Sequence, residues 1–445
     1  MRAFAHIQLW GIPMRPLRFA AFAGLILFLS ACSAAAPRAE STRSATTAAS
    51  GISQERLRRL DGLLQQYVDE NRIAGAVVRI LQDGQPVYDR AAGWRDRESR
   101  QPMANDTLFR IASQSKAITS TAALILMEEG RLALADPVGR YIPEFTQTTV
   151  AVQDEQGKVS IVPAKRPITI RDLMTHTAGI SYGREPTIAA QYEAKGLGPA
   201  AGNGWYTADK DEPICDTMAR LGTLPFVSQP GEAWVYGYNT DVLGCVVERA
   251  AGMPLDRFIR TRITDPLGMK DTFFFVPREQ AGRLATLYGS GADGFIVRAP
   301  EGSKGQGHYV DGPRRSFAGG AGLVSTANDY GRFLEMIRND GALDGTRLLS
   351  PRSVALMRTN QIGALYRTPG QGFGLAFDTV ETFGAADLAA PGNFGWGGAY
   401  GSLYRVDPQA HLTIVLMIQL MPNQTDFRER FLNVVYQSIL DPVRL

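Results

Sequence analysis

The 445-residue chain is poor in the residues on which metal and redox chemistry depend, with four histidines and three cysteines in all. Beyond the first thirty residues only His176, His308 and His411 remain, and no two stand at metal-ligand spacing. Zinc chemistry and a Ser-His-Asp triad are therefore both poorly supported, and no metal or organic cofactor is expected. His176 reads as a hydrogen-bonding residue within a turn, and the other two as solvated. So few cysteines also exclude a disulfide-built scaffold, leaving the fold to depend on its core. Charge of one sign is missing as well, with 47 basic against 44 acidic residues. Removing residues 1–31 takes away Arg2, Arg15 and Arg18 and no acid, so the net charge falls from +3 to zero. A neutral chain without a basic, aromatic-interleaved stripe gives no reason to expect nucleic acid as partner. Nor is there a long hydrophobic run. The apolar stretch Phe19 to Leu29 is well short of the roughly 20 residues a membrane span needs.

What the N-terminus does have is a basic region, that short apolar stretch, and small residues after it, the pattern of a secretory signal. The run ends in Leu29-Ser30-Ala31-Cys32, which resembles the bacterial lipobox and makes Cys32 a candidate for lipidation. Residues 1–31 are thus expected to be a lipoprotein-type signal, and 32–51, rich in Ala, Ser and Thr, a flexible tether. Export to the periplasmic face of the envelope follows as an expectation. Ser33 after the cysteine points to an outer-membrane lipoprotein, with the lipid as the only membrane contact. Cys215 and Cys245 could then pair or remain two buried thiols; their spacing leaves both open.

From residue 52 to 445 the composition is that of one large globular domain, with 44% apolar and 20% charged residues over the whole chain. Ser53 is a good N-cap for a helix carrying Leu57, Leu60, Leu64 and Tyr67 at helical spacing. Ala76 to Leu81 and Val87 to Trp94 flank Asp83-Gly84 as a hairpin. Helices are expected from Ser113 to about Glu129, over Ile170 to Thr175, Val242 to Ala250 and Leu255 to Ile263. Strands follow over Gly372 to Thr379, Ser402 to Val406 and Leu412 to Gln419, and a last helix from about Asp426 to Leu440. The order predicts an α+β fold, an antiparallel sheet built from both chain ends and flanked by helices. A mainly helical insertion, roughly 113–270, would pack beside it and leave a cleft between the two.

Two short motifs invite misreading. Gly179-Ile180-Ser181-Tyr182-Gly183 matches G-x-S-x-G, but a helix precedes it and a loop follows, whereas a nucleophile elbow needs a strand before and a helix after. Gly289 to Gly294 matches G-x-G-x-x-G, yet Phe295-Ile296-Val297 reads as a strand, so this is a hairpin turn and not a dinucleotide site.

The informative segment is Phe109-Arg110-Ile111-Ala112-Ser113-Gln114-Ser115-Lys116. A serine opening a helix has exposed N–H groups and the positive dipole end beside its hydroxyl. Lys116 lies one turn on, so its amine can reach the Ser113 oxygen. A serine hydroxyl is a weak nucleophile that needs such a neighbour. By itself S-x-x-K is a common accident.

Context makes it more than that. The stretch from Thr107 to Leu126 resembles the nucleophile helix of class C β-lactamases and of family VIII carboxylesterases. Leu173 to Gly179, Pro230 to Tyr236 with Asp241 to Gly244, Gly319 to Thr326 and Phe394 to Asp407 continue the resemblance in that superfamily's order. It implies a β-lactamase/transpeptidase-like fold and hydrolysis through a covalent acyl-enzyme. Ser113 would be the nucleophile, Lys116 its activator and Tyr236 the shared proton carrier. The third motif corresponds to Trp396-Gly397-Gly398, and backbone N–H groups of Ser113 and Ala399 would form the oxyanion hole.

Two departures matter. Tyr238 stands where β-lactamases have Asn, with Asn239 one step late, and Trp396 stands where Lys or His is usual. Both resemble the esterase branch, and they make Tyr238, Trp396, Gly397 and Gly398 candidates for substrate binding. Trp205, Tyr206, Trp234 and Tyr400 could add to an apolar pocket. With no cation at the third motif to meet a β-lactam carboxylate, neutral small esters are expected as substrates, unless another basic residue, Arg405 or Arg315 for example, reaches the same spot. A β-lactamase, a D-alanyl-D-alanine carboxypeptidase, an amide hydrolase and an idle penicillin-binding-like sensor are the rival readings. An intact Ser113, Lys116 and Tyr236 argues against the last. The oligomeric state is not readable from the sequence.

Overall fold

The computed structural model describes residues 51–198 and 209–444. The signal segment, Cys32, Trp205 and Tyr206 lie outside them. An eight-stranded sheet organises the described chain. Its strands are β1 (Gly75–Gln82), β2 (Gln85–Asp96), β3 (Gln101–Pro102), β4 (Gln371–Phe373), β5 (Asp378–Val380), β6 (Phe394–Gly397), β7 (Leu403–Asp407) and β8 (Leu412–Met417). They lie in the order β4-β5-β6-β7-β8-β1-β2-β3, and all neighbours are antiparallel. The pairing of β1 with β8, Val77 opposite Met417, joins the two chain ends. The β1–β2 hairpin turns at Asp83 and Gly84, both with positive φ (49° and 76°), as a type I′ turn requires.

Alternation along β1 and β8 sorts their side chains onto two faces. Val78, Ile80, Ile414 and Leu416 pack with Leu60, Leu64 and Tyr67 of α1 (Arg59–Asp69) and with Phe427 and Phe431 of the C-terminal helix (Phe427–Tyr436). Val77, Val415 and Met417 turn into the larger core. Covered on both faces, β1 and β8 are almost wholly buried.

Between β3 and β4 the chain is mainly helical. Its central pair is α2 (Ser115–Glu128) and α3 (Asn239–Ala251), which pack on each other and carry long buried runs. Cys215 and Cys245 are joined in a disulfide that ties α3 to the helix Ile214–Gly222. Ser53 caps the first turn and Gly289–Gly294 lies in a hairpin, both as expected. Three expectations need correction. Gly372 to Thr379 is not one strand but the β4–β5 hairpin, because Gly374 N–H turns back to Phe377 O at 2.8 Å. The helix from Leu255 stops at Ile259 and widens into a π-helical turn over Arg260–Thr264. The last helix ends at Tyr436, four residues short of Leu440.

Candidate active site

The C-terminal end of β6 faces the start of α2 across a cleft of about 590 Å³. Ser113 opens onto it from a single 3₁₀ turn, Ala112–Gln114, that leads directly into α2. Ala112 takes φ +43°, a conformation that costs an L-residue and recurs at functional turns. Below it Arg110 is fully buried, donating to Ala285 O at 2.7 Å and Gln306 O at 2.9 Å, so the entry to the turn is anchored from beneath. On the other side Gly398 presses on the same turn; a Cβ there would lie 2.6 Å from Ile111 O. Only glycine permits that approach, which brings Gly397, Gly398 and Ala399 to the cleft beside Ser113.

Lys116, buried to 2% exposure, points its amine at three oxygens. Nζ lies 2.7 Å from Gly320 O, 3.2 Å from Ser113 Oγ and 3.3 Å from the Tyr182 hydroxyl. It also sits 4.8 Å from the centre of the Tyr236 ring. Tyr236 is held in an aromatic box with His176, Trp234 and Trp396, their rings 4.7, 5.7 and 5.4 Å away. Its hydroxyl accepts a hydrogen bond from Trp396 Nε1 at 3.1 Å. Trp396 thus acts on Tyr236 as well as lining the cleft.

Tyr238 and Asn239 are placed differently from the sequence expectation. Tyr238 is fully buried and away from the cleft lining, its hydroxyl accepting from Gly198 N–H at 3.0 Å. It is a core residue of the helical region, not a substrate contact. Asn239 is buried too, and its amide donates to Ile180 O and Val235 O, both at 3.1 Å. The same amide nitrogen lies 3.0 Å from His176 Nδ1. One side chain therefore stitches the segment bearing Tyr236 to the segment bearing Tyr182. Burial, with the nearby Lys116, pushes the His176 pKa well below its ordinary value and keeps the ring neutral.

Tyr182 is the site residue that the sequence reading missed. It lies inside the G-x-S-x-G decoy, whose Ser181 is buried and donates to Glu185 at 2.6 Å. No spacing rule connects Tyr182 to Lys116, sixty-six residues earlier; the Asn239 stitch does.

Of the two basic residues that could replace a third-motif cation, Arg405 lines the cleft, paired with Asp378, whereas Arg315 pairs with Asp211 and is not among the lining residues. Arg184, Arg367 and Arg428 line the opening, and the Arg428 guanidinium lies against Gly397. Position 396 brings no cation, as expected, and the charge beside the third motif comes from Arg428 of the C-terminal helix.

The model for the family described as Beta-lactamase matches residues 60–437. The chain belongs to the β-lactamase family. Among its relatives, Esterase EstB of Burkholderia gladioli is 35% identical over 378 residues, covering 81% of this chain and 89% of that protein. Lovastatin esterase of Penicillium rubens is 33% identical over 314 residues, 68% of this chain and 73% of its own. The solved structure of EstCE1, described as a hydrolase with promiscuous acyltransferase activity, superposes with a TM-score of 0.73 at 29% identity. It covers 87% of this chain and 99% of that one. Membership of this β-lactamase family, in its esterase branch, agrees with the α+β architecture described above.

Proposed function

We propose that the protein is a carboxylesterase that works through an acyl-enzyme on Ser113. The observation that carries the reading is the Ser113 Oγ–Lys116 Nζ contact of 3.2 Å at the cleft, beneath the Tyr236 ring. Esterase EstB and lovastatin esterase among the relatives support an ester as substrate. In the first half-reaction Ser113 Oγ attacks the ester carbonyl and passes its proton to the Tyr236 oxygen. That oxygen is stabilised as a phenolate by the Trp396 N–H and the neighbouring Lys116 ammonium. The carbonyl oxygen, now negative, is met by the N–H groups of Ser113 and Ala399. Tyr236 returns the proton to the leaving alcohol as the C–O bond breaks. Water then attacks the acyl-Ser113, gives its proton to Tyr236, and the acid leaves as Ser113 is reprotonated. No cofactor enters this scheme.

A β-lactamase or carboxypeptidase reading draws on one specific feature, the arginines at the cleft mouth, which could meet a substrate carboxylate. The decisive assay compares kcat/KM for a short p-nitrophenyl ester and for nitrocefin on one preparation. The ester should be turned over far better. Equal or greater efficiency on nitrocefin would overturn the esterase reading and leave the Ser113 chemistry in place.

The reading places the enzyme on the periplasmic face of the envelope, tethered through lipid on Cys32, with the lipobox-like Leu29 to Cys32 in support. A diacylglycerol plus an N-acyl chain anchors firmly where a single chain does not. Cys32→Ser should move the protein from the membrane to the soluble envelope fraction. Wild-type protein that is already soluble and takes up no lipid label would refute the anchor.

A further inference from the structure

Asp241 stands five residues after Tyr236, in the first turn of α3, and is buried to 3% exposure. A carboxylate in such a place needs a reason, because burial without a partner is costly. Its Oδ1 accepts the N–H of Gly320 at 3.0 Å, and the carbonyl of the same Gly320 accepts Lys116 Nζ at 2.7 Å. Residue 320 is thereby held from both sides, its N–H by α3 and its C=O by α2. The neighbouring Gly319 carbonyl is held in turn by the Thr119 hydroxyl at 2.9 Å. No larger residue fits the wedge. A Cβ at position 320 would fall 2.4 Å from Asp241 Oδ2.

We propose that Asp241 is a positioning residue for the Ser113 reaction, which through Gly320 aims the Lys116 amine at Ser113. An ammonium has three protons and no lone pair. That matches the three oxygens around Nζ: Gly320 O, Ser113 Oγ and the Tyr182 hydroxyl. Among the described residues Lys116, on α2, is the one charged side chain acting on Asp241. The Gly319–Gly320 segment offers only backbone, and from its own helix Asp241 receives only its own N–H. On the far side Lys116 faces the neutral His176 and the hydroxyls of Tyr182 and Tyr236. Burial raises the Asp241 pKa to about 6, Lys116 opposing that rise, so the carboxyl is charged at neutral pH.

The inference rests on the Ser113 mechanism, and its test does not need the natural substrate. The rate of Ser113 labelling by a fluorophosphonate is measured against pH for the full chain and for Asp241→Asn. Asn keeps an acceptor for Gly320 N–H and removes the charge. The wild-type rate should fall as the Asp241 carboxylate takes up its proton near pH 6, and that step should be missing in Asp241→Asn. A purely structural role would lower the rate at every pH and leave the step in place, and a step that persists in Asp241→Asn overturns the proposal. Should Asp241→Asn not fold, carbon-13-labelled aspartate in the wild type and in Lys116→Ala gives the reciprocal test. Loss of Lys116 should raise the Asp241 midpoint, and an unmoved midpoint overturns the proposal equally. Normal labelling of a protein inert on every ester refutes the esterase reading alone; absence of labelling at Ser113 refutes both.

Discussion

The Trp396 indole donates its N–H to the Tyr236 hydroxyl at 3.1 Å, across the cleft from Ser113. Where a lysine would place a charge beside this phenol, the indole places one neutral donor and a ring face 5.4 Å away. Trp396→Phe keeps the ring and removes the donor. A neutral hydrogen bond contributes about 0.5–1.5 kcal/mol, so kcat on a p-nitrophenyl ester should fall about two- to tenfold. KM should change little. A raised KM at constant kcat would mean that Trp396 serves substrate binding instead.

Ser113→Ala should abolish hydrolysis, while Ser181→Ala should retain a sizeable fraction of it. The second change loses the bond to Glu185 and the acceptor for Gly183 N–H but removes none of the oxygens that Lys116 Nζ reaches. Tryptic mass mapping of the fluorophosphonate adduct checks the assignment. An adduct on the Ser181 peptide would sink it.

The two cleft tyrosines should separate in activity. Tyr236→Phe removes the hydroxyl proposed to carry the proton and should cost about 10²–10⁴ in kcat. Tyr182→Phe removes only the hydroxyl 3.3 Å from Lys116 Nζ, and about a tenfold loss or less is expected. Steady-state kinetics of both variants settles the order. The reverse ranking would assign the proton transfer to Tyr182.

His176 should make stability fall with acid. Its pKa is depressed in the folded state, so the unfolded chain binds the extra proton first, and stability is lost as pH drops below about 6.5. Asp241 works in the opposite sense: its raised pKa makes the folded state take up a proton near pH 6, which offsets part of the loss. Urea unfolding from pH 7 to 4.5 should show a shallower decline for His176→Gln than for wild type. Equal slopes would exclude His176 as the source.

The Cys215–Cys245 disulfide closes a segment of thirty residues between two helices. By chain entropy such a closure contributes about 3–4 kcal/mol. Cys215→Ser with Cys245→Ser should therefore lower Tm by several degrees while leaving the Ser113 labelling rate intact. An unchanged Tm would remove the disulfide from the stability of α3.

Much of the fold could be read along the chain because it rests on local signals. The Asp83-Gly84 turn, the Ser53 cap and the alternation in β1 and β8 are short-range features, and each appears where its pattern lies. The break at Gly374 was hidden, since the residues from 372 to 379 are apolar enough for one strand and only the return to Phe377 divides them. Tyr238 misled for a related reason: an aromatic two places from Tyr236 looks like a site residue until the start of α3 rotates it into the core.

Ser113, Lys116, Tyr236 and Trp396 could be proposed as a set from the amino-acid sequence because one helical turn and a few ordered blocks carry them, and the structure brings the four together. The tertiary structure alone decided what surrounds them. Tyr182 reaches Lys116 through the Asn239 stitch, Arg428 reaches Gly397 from the far end of the chain, and Asp241 reaches Lys116 through a glycine seventy-nine residues away. None of these contacts has a sequence period. They arise where two buried helices and the end of a strand close on one another, and only there do distant polar groups find the partners that burial demands.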